Sequence, residues 1–190
     1  MNKKAYLHFV MFLMSLSLAS SACKPEDKGE EANGGVKMDL HLRSNDFNEN
    51  ETIPRRFTCD AENLSPSLTW SGAPGETRQF TLIVDDPDAP RGTWVHWVVY
   101  AIPANVTSLP EGVTKMAFIE DVGKQGINDF QEIGYDGPCP PPGPAHRYFF
   151  KLYALDTEID LPIGATKAEV EEAMRDHILS STQLVGYYSR

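Results

Sequence analysis

Gln79-Phe80-Thr81-Leu82-Ile83-Val84-Asp85 is a run of β-branched and aromatic residues that ends abruptly in acid. A second run is Trp94-Val95-His96-Trp97-Val98-Val99-Tyr100-Ala101-Ile102, and a third is Tyr148-Phe149-Phe150-Lys151-Leu152-Tyr153-Ala154-Leu155. Such residues suit a pleated, largely buried surface, so each run predicts a strand. Working outward, Met38-Asp39-Leu40-His41-Leu42-Arg43 alternates apolar and polar, the period of a half-buried strand. Leu68-Thr69-Trp70 reads as a short strand closed by the turn Ser71-Gly72-Ala73-Pro74-Gly75, and Thr182 to Tyr188 as a last strand. One helix is predicted. Thr166-Lys167-Ala168-Glu169 fits a capping box, and Val170, Ala173, Met174, His177 and Ile178 follow on one face. On that face His177 is a packed or rim residue rather than a ligand. Many short strands between Pro/Gly turns, plus one helix, predict a mainly β chain, a β-sandwich with a helical appendage.

The composition excludes some partners. Of 190 residues, 27 are Asp or Glu and 17 are Lys or Arg, giving a net charge of −10. A nucleic acid would require a basic face, so none is expected as a partner. Apolar residues make up 41% of the chain, enough to bury a core without a disulfide staple.

The N-terminus reads as an address. Asn2-Lys3-Lys4 is a basic start and Ala5 to Ala22 is apolar, the n- and h-regions of a secretory signal. Leu18-Ala19-Ser20-Ser21-Ala22-Cys23 resembles the lipobox of bacterial lipoproteins. That resemblance implies cleavage before Cys23 and acylation of Cys23, with the exported protein lipid-anchored to the bacterial cell envelope at its periplasmic or outer-membrane face. Lys24 to Gly35 is charged and free of aromatics, a flexible tether. The expected organisation is a signal peptide over 1–22, an acylated cysteine and tether over 23–36, and one domain over 37–190.

Three segments carry candidate chemistry. Asp85-Asp86-Pro87-Asp88-Ala89-Pro90 places three carboxylates just after a strand; locally it also reads as an Asp-Pro turn. Trp94-Val95-His96-Trp97 sets an imidazole among apolar neighbours. Alternation puts His96 on the face of Trp94 and Val98, where a buried ring needs a partner. Gly137 to Tyr148 (GPCPPPGPAHRY) holds five prolines. Lacking those N–H groups it cannot cradle a phosphate as a P-loop does, and only a few amides, such as those of Gly137 and Cys139, remain. It forms either a stiff wall presenting His146 and Tyr148 on one face of the next strand, or a plug at a sheet edge.

Taken in order, LIVDDPDAP, GTWVHWVVYAIP and GYDGPCPPPGPAHRYFFKLYALD resemble the phosphatidylethanolamine-binding protein family, in its bacterial, Raf-kinase-inhibitor-like branch. FTCDAENLSPSLTWSGAP is similar to that branch as well, so the likeness spans about Met38 to Arg190. The resemblance implies an antiparallel β-sandwich with the C-terminal helix and short peripheral helices. It implies a pocket for phosphate-type anions, including a phospholipid head group, at Asp86, Asp88, His96, His146 and Tyr148, with Gly137 and Pro140 in its wall. It implies no catalytic reaction, cofactor or metal. In physical terms two imidazoles and a phenol offer donors to an anion, and a carboxylate fits beside them by orienting an imidazole. Asp86 is therefore expected to pair with His96 or His146.

Two other readings remain open. Some relatives restrain kinases or proteases, which implies an inhibitor acting on a protein target through the same surface. A hydrolase can also be drawn, with Cys139 and His146 as a nucleophilic pair or with Asp86, His96 and His146 around a metal. Against the nucleophile, Cys59 and Cys139 are the only thiols left once Cys23 is acylated, and export favours a bridge between them.

Overall fold

The computed structural model describes residues 39–190. The expected signal segment, Cys23, the expected tether and Met38 lie outside the described residues. The ten strands, in chain order, are β1 (His41–Ser44), β2 (Glu51–Thr52), β3 (Leu68–Ser71), β4 (Gln79–Asp86), β5 (Trp94–Pro103), β6 (Ser108–Leu109), β7 (Phe118–Ile119), β8 (Gly123–Gln125), β9 (His146–Leu155) and β10 (Ile178–Tyr188). The three apolar runs of the sequence are β4, β5 and β9. They sit together at the middle of a seven-stranded sheet ordered β2-β10-β9-β4-β5-β8-β7. A three-stranded sheet, β1-β3-β6, packs against one face. Pairing is antiparallel except where β10 meets β2 in parallel at Gly186 and Tyr187.

The core lies between the sheets. Leu82 and Val84 of β4, Trp97 and Val99 of β5, and Phe150 and Leu152 of β9 meet Leu42, Leu68 and Trp70 of the small sheet. The other face of the large sheet is covered by helix α1 (Lys167–Met174), whose Val170 and Met174 pack on Ile83, Val98 and Tyr100. Both faces of β4 are thus dry, which is why its sequence is nearly continuous in apolar residues.

The capping box is as expected. Thr166 Oγ1 accepts from the Glu169 amide, and Glu169 Oε2 accepts from the Thr166 amide at 2.8 Å. The helix is shorter than its apolar face suggests. It stops at Met174, and Ile178 already opens β10, where pairing with β9 outcompetes another helical turn. His177 is a half-exposed rim residue, with Nδ1 2.8 Å from Asp156 Oδ1. Besides α1, the helical content among the described residues is a 3₁₀ turn, Arg55–Phe57.

Strand β5 breaks strict alternation. Val84 pairs with Trp97 but Asp85 pairs with Val95, so His96 is an extra residue in a β-bulge. The bulge keeps His96 beside Trp94 and sends Val98 to the α1 face with Val95. This corrects the expectation that His96 and Val98 share a face. One inserted residue reverses the parity of everything after it.

Candidate functional site

The last two residues of β4 are both acids and both buried, yet they serve opposite faces of the sheet. Asp85 turns toward α1, where Lys151 and Lys167 donate to its carboxylate at 3.0 and 2.6 Å. Asp86 turns inward. Its Oδ2 lies 2.8 Å from His146 Nδ1, and its Oδ1 accepts from the Asp88 amide at 2.8 Å. Of the two expected partners for Asp86, the structure selects His146. Register explains this: Asp85 pairs with Phe149, so His146 and Tyr148 emerge at the same end and on the same face as Asp86.

His96 is held otherwise. Its Nδ1 lies 2.6 Å from the Asp136 carbonyl oxygen. A carbonyl can only accept, so Nδ1 carries the proton. Burial pushes the His96 ring below its ordinary titration range, against the opposing pull of the Asp136 carbonyl and the Asp86 carboxylate. The ring is therefore neutral, and Nε2 is a bare acceptor.

The segment after β8 builds this support. Asp129 bonds Val95 twice, through its own amide at 3.0 Å and through Oδ2 to the Val95 amide at 2.7 Å. The Asp136 amide donates to the His96 carbonyl at 3.0 Å. Asn128 ties the loop internally, accepting from the amides of Phe130 and Glu132 and donating to Gly134 and Asp136. The result sets Phe130 edge-on against both Trp94 and His96, with ring centroids 5.4 Å apart in each case. His96 in turn meets Tyr148 edge-on at 5.2 Å.

These groups enclose a cavity of about 300 Å³. Asp86, His96, Pro140, His146 and Tyr148 line it, joined by residues that local sequence did not single out as ligands: Arg91, Trp94, Phe130 and Pro141. No local signal marks Phe130 or Arg91, because both arrive on loops whose course depends on distant strands. Two expected residues are not wall residues. Asp88 faces Arg147, accepting from its amide, Nε and Nη2 at 3.0, 2.8 and 2.7 Å. That guanidinium holds the Asp88 carboxyl at about 2, below its ordinary 3.8. Gly137 is a packing residue. Its amide donates to Asn63 Oδ1 at 2.8 Å, and a Cβ there would meet the Phe57 carbonyl oxygen at 2.1 Å.

The proline loop is fastened by a disulfide between Cys139 and Cys59, 80 residues apart in sequence. With its sulfur so engaged, Cys139 is no nucleophile for His146, which overturns that reading. Among the described residues no group of three His, Cys, Asp or Glu side chains is arranged to hold a metal ion.

Two polar atoms on the wall residues lack partners. Tyr148 is 1% exposed, and its hydroxyl, like the indole Nε1 of Trp94, has no hydrogen bond among the described residues. Burial, reinforced by the Asp86 charge, pushes the Tyr148 phenol far above its ordinary range, so it remains a donor. Tyr148, Trp94 and Arg91 are thus the donor-bearing residues of the wall, and His96 and Asp86 the acceptor-bearing ones.

Fold and site define a β-sandwich with an aromatic-walled cavity, carrying a few buried polar groups, at the ends of its central strands. The chain belongs to the phosphatidylethanolamine-binding protein family, whose model matches residues 43–189. It is 50% identical over 151 residues to the UPF0098 protein of Methanothermobacter thermautotrophicus, covering 80% of this chain and 99% of that protein. It is 46% identical over 159 residues to the UPF0098 protein of Aquifex aeolicus, covering 83% of this chain and 91% of that one. Among solved structures it is similar to a putative phosphatidylethanolamine-binding protein homologue from Chlamydia trachomatis, at 38% identity and a TM-score of 0.73, covering 80% of this chain and 99% of the other. E. coli YbcL, described as a member of the mammalian family, is similar at 33% identity, the same TM-score and the same coverage.

Proposed function

We propose that the domain is a binding module that takes a small phosphate-type anion, free or as a head group, into the cavity walled by Asp86, His96, His146 and Tyr148. The observation that carries this reading is the pair of buried donors, Tyr148 Oη, which lies toward the Asp86 carboxylate, and Trp94 Nε1, neither of which closes a hydrogen bond of ordinary geometry. Leaving a buried donor unmade costs about 1–3 kcal/mol, so keeping two on the walls of one cavity suits a ligand rich in acceptors. Phosphate oxygens meet that need, and Arg91 at the rim adds a positive charge. Phe130, Pro140 and Pro141 supply apolar walls for the organic part of an ester.

The test is a titration of the purified protein with inorganic phosphate and phosphoethanolamine, following the His96 and His146 ring signals by NMR. Saturable shifts of both rings, lost in His146→Ala, are expected. No shift up to millimolar ligand would sink the proposal.

The same reading puts the protein outside the cytoplasm, anchored through an acylated Cys23. The signal pattern supports it, and so does the Cys59–Cys139 bridge, a bond that persists in oxidising compartments. Cys23→Ser is expected to release the protein from the membrane fraction; unchanged retention would refute the anchor.

A further inference from the structure

The cavity's hydrogen-bonding pattern specifies more than an anion. We infer that the ligand must bring a proton on its phosphate, so that the site selects phosphate monoesters and hydrogen phosphate and rejects phosphodiesters and sulfate. This rests on the proposed anion pocket and narrows it.

The argument starts from His96. Its Nδ1–H is committed to the Asp136 carbonyl at 2.6 Å, and that carbonyl belongs to a loop bonded to β5 on both sides of the ring. Moving the proton to Nε2 would face a bare Nδ1 lone pair with the carbonyl oxygen, and turning the ring over would exchange that bond for a Cδ2–H contact. The tautomer is thus set by the backbone, and the remaining ring nitrogen, Nε2, accepts. It has no partner among the described residues, and it belongs to a wall residue of the cavity. Burial keeps the ring from solving the problem by protonating.

On the wall of the same cavity the Asp86 carboxylate, 4% exposed at its side chain, adds further acceptor lone pairs. Its charge is answered by His146 when that ring is protonated, but its oxygens still cannot donate. An anion that only accepts, such as sulfate or a dialkyl phosphate, would point lone pairs at His96 Nε2 and at Asp86. A monoester near neutral pH keeps one P–OH for part of its population. That hydroxyl can donate to Nε2 or Asp86, while its other oxygens accept from Tyr148, Trp94 and Arg91. Sites built around a hydrogen bond reject analogues that lack it more strongly than apolar pockets reject a missing methylene.

An intact phospholipid is a diester. The inference therefore distinguishes a released head group or free phosphate from a lipid still in its membrane.

The experiment compares methyl phosphate, dimethyl phosphate, sulfate and glycerophosphoethanolamine as ligands of the purified wild-type protein, by calorimetry and by ¹⁵N signals of the His96 ring. The expected result is that methyl phosphate binds at least about tenfold tighter than the other three, the scale set by leaving a desolvated acceptor unpaired. His96 should remain in its neutral Nδ1–H form throughout. Equal binding of dimethyl phosphate or sulfate, or an imidazolium signature at His96, would overturn the selectivity and leave the anion pocket standing. Equal binding of glycerophosphoethanolamine alone would also overturn it, since the ammonium would then be the donor. If none of the four binds, the pocket reading itself fails. In His96→Gln the side-chain amide can present a donor where Nε2 accepts, and the preference for methyl phosphate should shrink toward unity. Because the wild-type comparison needs no variant, the inference stays testable even if this variant does not fold.

Discussion

Asp85 and Asp86 are neighbours in sequence, both buried and both at the end of β4, yet they belong to different parts of the molecule. Asp85 sits under α1 between two lysines whose chains reach in from β9 and from the helix. Its carboxylate is fully buried between ammonium groups from β9 and from α1, so it acts as a clasp that ties the helix to the sheet. Asp86 faces the sandwich interior with one histidine and one backbone amide, and its remaining lone pairs look into a cavity. A buried carboxylate with its charge answered twice is structural. One answered by a single imidazole on a cavity wall is placed to act on a ligand.

Substitution should separate the two. Asp85→Ala removes the clasp and leaves two lysines competing for solvent at the α1 interface. It should lower unfolding free energy by about 2 kcal/mol, read by urea denaturation, with anion affinity unchanged in the folded protein. If affinity fell with it, the two faces would not be independent. Asp86→Asn should do the reverse, weakening methyl phosphate binding about tenfold with a smaller loss of stability, because His146 loses the charged partner that orients its ring. Tighter binding instead would mean that repulsion between Asp86 and the anion outweighs its bond to His146.

The third acid of the motif gives the smallest effect. Asp88 is paired with Arg147 in a setting open to water, where solvent screens the pair and leaves it little weight in stability. Its folded-state carboxyl titrates at about 2, below its ordinary 3.8. A depressed acid stabilises the fold above its unfolded value and loses that contribution as pH falls toward its folded one. The stability difference between wild type and Arg147→Ala should therefore be present at neutral pH and vanish between about pH 4 and pH 2. A difference that persists at pH 2 would mean that Arg147 contributes by packing on Phe149, over which its guanidinium lies at 5.6 Å.

The site was legible in part. Asp86, His96, His146, Tyr148 and Pro140 were found from three ordered segments, and all five line the cavity. Asp88 and Gly137 sit in the same segments but not in the wall. Asp88 is two residues past the strand, where the turn aims it outward at Arg147, and the Gly137 amide is used by Asn63. Phe130 and Arg91 were missed, since neither a turn-rich loop nor a lone arginine carries a period or a motif.

What the sequence determined by itself was what local physics controls. Runs of β-branched and aromatic residues made β4, β5 and β9; a capping box started α1 at Thr166; the prolines stiffened the wall before His146. What only the tertiary structure decided was pairing. Whether Asp86 met His96 or His146 depended on the register of β9 against β4. Which nitrogen of His96 kept its proton depended on a loop 40 residues away reaching back with the Asp136 carbonyl. The bulge that holds His96 on the cavity face exists only where Val84 and Asp85 span three residues of β5. These are long-range backbone contacts, and a periodic pattern carries no information about them, because it records which face a residue prefers and not which neighbour that face will meet.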